Sequence, residues 1–382
     1  MATLSEEPHK VKFVYWDNLT YSGPGEDLAE AWNPKKATAL YEAYLGHCAE
    51  AERMGFAGVS MPEHAGPFSI CSHPDIMMAA LSQRTKRVRI VSGVNIPLWH
   101  RPLDLAAEWG MIDTLSGGRL EIGLGRHGEQ EANQKAIDLI NKVLHEEDVP
   151  VPASDGLLAF SGHLKPDEMT KMTLWPRPVQ KRVPLWVAAG SDASVSAAAR
   201  RGLGLMTGLT TNPQAGGMTT TTIADVLPLF KRYIEVGQEH GHNLSMANVA
   251  VVSFTVVADT DEQAAKRASA GFVNHLKKAV ATYSRVGRFI SEEPQFSPER
   301  IKELLENPAQ SFVRSPFALI GSLNTVREKL EALRSVGLSR FITPVGMGLS
   351  HQEAWESACA LAEDVAPEAF AAQRAELVDA VA

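Results

Sequence analysis

The chain has 382 residues, of which 45% are hydrophobic and 21% charged, with a formal net charge of −8. That composition describes a globular protein long enough for one large α/β barrel or two ordinary domains, and it excludes a chain that is mainly disordered. The acidic balance argues against nucleic acid as a partner, because phosphate backbones need clustered basic side chains, and no run reaches the ~20 apolar residues that span a bilayer.

Val11–Trp16 reads as a strand and Ala37–Met54 as a helix, with apolar residues at helical spacing and Gly55 as its stop. Phe56–Met61 is a second strand, followed by Pro62-Glu-His-Ala-Gly66 and a helix over Asp75–Arg84. The rhythm then repeats: strand Val88–Val94, helix Pro102–Leu115, strand Arg119–Leu124, helix Glu129–Leu144. Leu185–Ala189, Gly204–Gly208 and Val249–Ala258 are strands, each with a helix behind it: Ala193–Arg201, Ile223–His240 and Asp261–Tyr283. Helix Ser322–Val336, strand Arg340–Val345 and helix Gln352–Leu361 complete the pattern.

Strands alternating with helices imply parallel pairing through helical crossovers. About eight such units favour a (β/α)₈ TIM barrel, with a doubly wound two-domain sheet as the alternative. The whole chain, 1–382, is expected to form one barrel domain. Its extra length falls in two insertions, about 146–182 and about 284–315, of a length common in lids and substrate walls.

Several short motifs can carry chemistry. Gly123-Leu-Gly125-Arg-His-Gly128 matches a dinucleotide G-x-G-x-x-G fingerprint. Three βα units precede it, Glu121 interrupts its strand, and His145-Glu-Glu-Asp148 ends a helix rather than a second strand. These features argue against that reading. The same glycines would let backbone approach a flat or phosphorylated ligand. Arg126, just past the strand, would hold a phosphate in two hydrogen bonds or pair with a surface carboxylate. Gly190-Ser-Asp-Ala-Ser194 opens a helix and suits either an anion or an ordinary N-cap. His64 follows the second strand and suits a general base or a hydrogen-bonded surface residue. Trp16, Trp99, Trp175 and Trp186 near strand ends suit a flat aromatic ligand or core packing. The three cysteines (Cys48, Cys71, Cys359) and the histidines show no metal-ligand spacing, so no metal is assigned. A polar N-terminal stretch and isolated cysteines make a cytoplasmic location the expectation.

Together and in this order, the motifs resemble the bacterial luciferase-like, flavin-dependent monooxygenase family. Ile112-Asp-Thr-Leu-Ser-Gly-Gly-Arg-Leu-Glu-Ile-Gly-Leu-Gly-Arg126 is similar to its D-x-L-S-x-G-R segment and G-x-G-R turn. Pro176-Arg-Pro-Val-Gln-Lys181 through Val183-Pro-Leu-Trp-Val-Ala-Ala-Gly-Ser191 resembles its P-x-P-V-Q and P-x-W-V-A-x-G-S strand. Ile320–Leu330 is similar to a late helix start, with Leu-Asn replacing the usual Pro-Glu. The region 284–314 matches nothing in the family.

The resemblance implies a TIM barrel binding reduced FMN at its C-terminal mouth. Arg126, Ser191 and Ser194 would contact the phosphate, Gly190 would allow close backbone approach, and His64 would be the catalytic base. It further implies dioxygen as co-substrate, one oxygen atom passing to a small organic molecule, a separate NAD(P)H-dependent flavin reductase, and a homodimer. Gly125 stands where luciferases carry a reactive cysteine, which puts light emission in doubt and leaves oxygenation open. Two alternatives remain, a deazaflavin-dependent hydride transferase and a non-catalytic flavin-binding protein.

Overall fold

A computed structural model describes residues 10–22, 32–66, 68–126, 129–152, 169–208, 222–285, 302, 306 and 313–379. Eight parallel strands close into a barrel: β1 (Lys12–Trp16), β2 (Gly58–Met61), β3 (Arg89–Ser92), β4 (Leu120–Leu124), β5 (Leu185–Ala188), β6 (Gly204–Thr207), β7 (Val249–Val252) and β8 (Arg340–Pro344). Each strand pairs with its neighbours in sequence order, and β1 pairs with β8 to seal the ring. The (β/α)₈ expectation is met, and the doubly wound alternative is excluded by closure.

Around the barrel run α1 (Pro34–Met54), α2 (Pro74–Arg84), α3 (Pro102–Ser116), α4 (Gln130–His145), α5 (Asp192–Arg200), α6 (Ile223–Glu239), α7 (Asp261–Arg285), α8 (Leu323–Ser335), α9 (His351–Ala360) and α10 (Pro367–Asp379). Local chemistry sets their ends. Asn33 accepts from the amides of Lys35 and Lys36 at 3.0 and 3.2 Å to start α1, and Gly55 stops it at φ 104°, a left-handed turn that suits glycine. Pro34, Pro74 and Pro102 each stand in a first turn, where a missing amide proton costs nothing.

Strand alternation divides the core in two. Along β1, Phe13 and Tyr15 point outward against helices, with Phe13 stacked on Phe370 of α10 at 4.9 Å. Val14 and Trp16 point into the bore, with Val91, Trp186, Met206, Ala250 and Ile342. The bore's lower end is polar. Buried Glu121 accepts from Arg89 Nε at 2.9 Å, Arg340 Nη2 at 2.6 Å and Trp186 Nε1 at 2.9 Å. Burial alone would raise that carboxyl; Arg340 and Arg89 outweigh it and hold it below the ordinary carboxylate value. The mid-strand charge is therefore a barrel-floor ion cluster.

Several sequence expectations change. The β-branched run Val249–Ala258 is two strands: β7 ends at Val252, and Thr255–Val257 pairs outside the barrel with Leu319–Gly321. His64–Gly66 and Ser69–Cys71 form a hairpin beside the mouth, and Val149–Pro152 pairs with Met169–Met172 in the first insertion. Residues 153–168, 286–301, 303–305 and 307–312 of the two insertions lie outside the described residues, as do His127 and Gly128. Among the described residues, no helix is long and apolar enough to cross a membrane, and no group of three or more His, Cys, Asp and Glu side chains is arranged to hold a metal.

Candidate functional site

Strand pairing brings the two predicted anion-binding segments side by side. β4 and β5 are hydrogen-bonded neighbours, with Leu124 opposite Val187. Arg126 leaves the end of β4, and Gly190, Ser191 and Ser194 follow the end of β5, so all four are at the C-terminal mouth. Arg126, Ser191 and Ser194 line one cleft between α4 and α5, whose floor adds Asn133, Ile137 and Arg201. The cleft has about 60 Å³ of space large enough to admit water.

The charges in this cleft are uneven. Arg201 is already neutralised by Asp138, in two bonds of 2.7 and 3.0 Å. Arg126 is exposed and has no carboxylate partner among the described residues, so the surface ion-pair reading finds no support. Ser191 and Ser194 form a capping box on α5: Ser191 Oγ accepts from the Ser194 amide at 3.4 Å, and Ser194 Oγ accepts from the Ser191 amide at 3.1 Å. Ser194 Oγ also donates to the Ser191 carbonyl at 2.9 Å, and the two hydroxyls are 2.8 Å apart. The capping reading is thus correct, and it also leaves the α5 amino end facing the cleft. With the Ser194 proton on that carbonyl, the contact between the hydroxyls is a donation from Ser191 Oγ to Ser194 Oγ.

Two further observations bear on what the cleft could hold. Asn133 is 6% exposed and its Oδ1 is buried without a hydrogen-bond partner, so the wall contains an unfilled acceptor. An anion next to hydroxyl groups fits that set, with Arg126 and the helix end for the charge and Asn133 for an O–H donor. FMN, a phosphate attached to a hydroxylated chain, has that chemistry.

The glycines of the 123–125 turn are also required by packing. A Cβ on Gly123 would meet the Ser92 carbonyl oxygen at 2.3 Å, and one on Gly125 would meet Ile96 Cδ1 and Val94 Cγ2 at 2.4 and 2.6 Å. Both are packed tightly against the chain leaving β3, which accounts for glycine at these positions without a ligand. Trp16 and Trp186 are buried in the bore; Trp99 and Trp175 are 41% and 82% exposed.

Across the mouth, at the ends of β1 and β2, stands a separate histidine cluster. His64 Nδ1 is 3.2 Å from Asn18 Oδ1. Its ring is 5.3 Å from Phe68 and 6.4 Å from His275 of α7, and Phe68 meets His275 edge-on at 5.2 Å. Burial pushes the His64 imidazole down to about 4, and burial with the neighbouring His64 pushes His275 down to about 3, so both are neutral at ordinary pH. Glu63, adjacent to His64 in sequence, turns away. It accepts from the Ile96 amide at 2.6 Å and pairs with His100, tying down the loop after β3. Asn18, Asn133 and His275 escaped the sequence analysis. Asn18 had a usable signal, a polar residue just past a barrel strand; His275 and Asn133, mid-helix, had none.

Comparisons with known proteins bear on this arrangement. The flavin-dependent trigonelline monooxygenase oxygenase component of Acinetobacter baylyi is 26% identical over 353 residues, 86% of this chain and 89% of that protein. Among solved structures, monooxygenase RslO1 from Streptomyces bottropensis superposes with a TM-score of 0.69 at 21% identity, covering 93% of this chain and 99% of that one. The oxygenating constituent of 3,6-diketocamphane monooxygenase from Pseudomonas putida, solved with FMN, gives 0.62 at 17% identity, covering 94% and 99%. A coenzyme F420-dependent tetrahydromethanopterin reductase from Methanopyrus kandleri gives 0.58 at 16%, covering 94% and 99%. At these identities the solved structures bear on the fold alone. The family model described as luciferase-like monooxygenase matches residues 28–340, most of the chain, and with it the barrel, its motifs and its curated relative agree: the chain belongs to the luciferase-like monooxygenase family.

Proposed function

We propose that this chain is the oxygenase component of a two-component system, taking reduced FMN from a separate NAD(P)H-dependent reductase and using dioxygen to oxygenate a small organic substrate. The observation that carries the reading is the convergence of Arg126, Ser191 and the orphaned Asn133 Oδ1 on one cleft at the C-terminal mouth. Arg126, Ser191 and Ser194 would hold the phosphate, Gly190 would give close backbone approach, and Asn133 would accept from a hydroxyl of the attached chain. Bound there, the reduced flavin supplies the electrons that activate dioxygen. His64, neutral and across the mouth, would accept the substrate's proton, and the apolar ring of Phe68 would keep water from it. The two insertions, about 146–182 and about 284–315, would wall the substrate pocket of a single barrel domain.

Anaerobic titration with reduced FMN tests the cleft: Arg126→Ala should weaken binding by about 1.5–3 kcal/mol, the weight of a charged hydrogen bond. His64→Ala should bind flavin normally and turn over about 10²–10⁴-fold more slowly, as for a lost general base. Equal affinity or equal turnover would remove the respective assignment. The structural likeness to an F420-dependent reductase supplies a second reading, hydride transfer without dioxygen; anaerobic turnover with that deazaflavin would favour it. Flavin binding without oxygen uptake above that of free reduced flavin would point to a carrier.

Apolar exposure supports a homodimer. Met111 and Leu115 of α3 are 54% and 52% exposed, and Trp175 and Val179 beside them are 82% and 60% exposed. Sedimentation should show a dimer that Trp175→Glu weakens; a monomer in the parent protein would refute it.

A further inference from the structure

Asn18 stands two residues past β1 and is 1% exposed. Its side chain meets groups from three separate parts of the chain. Nδ2 donates to the Phe68 carbonyl at 2.5 Å and lies 3.3 Å from His275 Nδ1, with Thr20 Oγ1 at 3.4 Å. Oδ1 lies 3.2 Å from His64 Nδ1. A carbonyl oxygen can only accept, so Phe68 decides which end of this amide is nitrogen. A flipped amide would set two acceptors 2.5 Å apart.

The amide in turn decides where two protons sit. Facing an amide oxygen, His64 Nδ1 carries hydrogen and donates. Facing an amide N–H, His275 Nδ1 presents its lone pair. Burial keeps both imidazoles neutral, so each ring has one N–H only. His64 Nε2 is then a bare lone pair, and His275 Nε2 carries a proton. Neither Nε2 has a partner among the described residues.

We propose that Asn18 is the positioning residue of this site, its single amide holding His64 and His275 in opposite tautomers so that the mouth presents one basic ring nitrogen and one N–H donor. The pair suits a neutral substrate group that gives up a proton on one side and accepts a hydrogen bond on the other, such as a hydroxyl next to a carbonyl. This rests on the reading of His64 as base. Lysine or arginine at position 18 could not play the part, having no acceptor for the His64 N–H.

Nitrogen NMR of the ¹⁵N-histidine-labelled full chain, free of flavin, reads the tautomers directly, with signals assigned through His64→Gln and His275→Gln. The expected result is Nδ1–H on His64 and Nε2–H on His275. The same tautomer in both rings overturns the proposal without any substitution at Asn18. Asn18→Leu, close in volume, should give mixed tautomers in both rings and cut kcat by about 10–100-fold, the usual effect of removing an orienting partner, with reduced-flavin affinity unchanged. Unchanged tautomers, or an unchanged kcat beside a slow His64→Ala, would overturn the role of Asn18 alone. If Asn18→Leu and His64→Ala were both as fast as the parent, the reading of His64 as base would fall as well.

Discussion

Gly125 sits in a tightly filled turn at the end of β4. The space a Cβ would need is filled by Ile96 Cδ1 at 2.4 Å and Val94 Cγ2 at 2.6 Å, so a larger residue there would have to push these two side chains aside. Gly125→Ala is expected to destabilise by about 1–3 kcal/mol, the usual cost of overpacking, measured as a lower urea midpoint. Ile96→Val removes the Cδ1 methyl and should restore part of the loss in the double variant, though not all, since Val94 remains. A Gly125→Ala protein as stable as the parent would mean that the turn relaxes freely.

At the scale of elements, Glu121 on β4 ties β3, β5 and β8 together through Arg89, Trp186 and Arg340. Removing the carboxylate leaves two guanidinium groups facing each other across the barrel floor. Glu121→Leu should cost about 3 kcal/mol, the lower end for breaking a buried pair, because Arg89 is partly in contact with solvent. Glu121→Gln, which keeps hydrogen-bonding oxygen, should cost less; chemical denaturation ranks the two, and the reverse order would discount the charge. The strand order was legible because buried apolar runs, glycine stops and first-turn prolines recur along the chain. Val249–Ala258 misled because its β-branched residues look alike, and the break at Ser253–Phe254 depends on Thr255–Val257 finding Leu319–Gly321, more than sixty residues away. The hairpin His64–Cys71 and the α10 helix are likewise set by what they pack on. Arg126 and Ser191 were legible as strand-end residues; the Asn18–His64–His275 triangle was not, because only folding joins a β1 loop to the middle of α7.

For the whole molecule, half-buried histidines shape the response to acid. Burial lowers His64 and His47 to about 4 and His275 to about 3, all below their ordinary value of 6.5. As pH falls below 6.5 the unfolded chain takes up protons on these rings and the folded chain does not, so stability rises with pH across this window. His351 runs the other way. Burial would lower it, but its hydrogen bond and attraction to Asp17 raise it, and the stability it adds is present at low pH and lost as pH rises through its folded value. Burial lowers His145 in the same way, so four rings outweigh one and the urea midpoint should be lower at pH 5.5 than at pH 7.5. Equal midpoints would mean that these imidazoles protonate inside the fold.

Arg126 and Ser191 are far apart in sequence, yet the β4–β5 ladder sets the strand ends they follow side by side through the pairs Ile122 with Leu185, Gly123 with Trp186 and Leu124 with Val187. The intervening chain includes the first insertion, about 146–182. A change of length in that insertion would leave these strand pairs untouched, so the two halves of the cleft would stay adjacent.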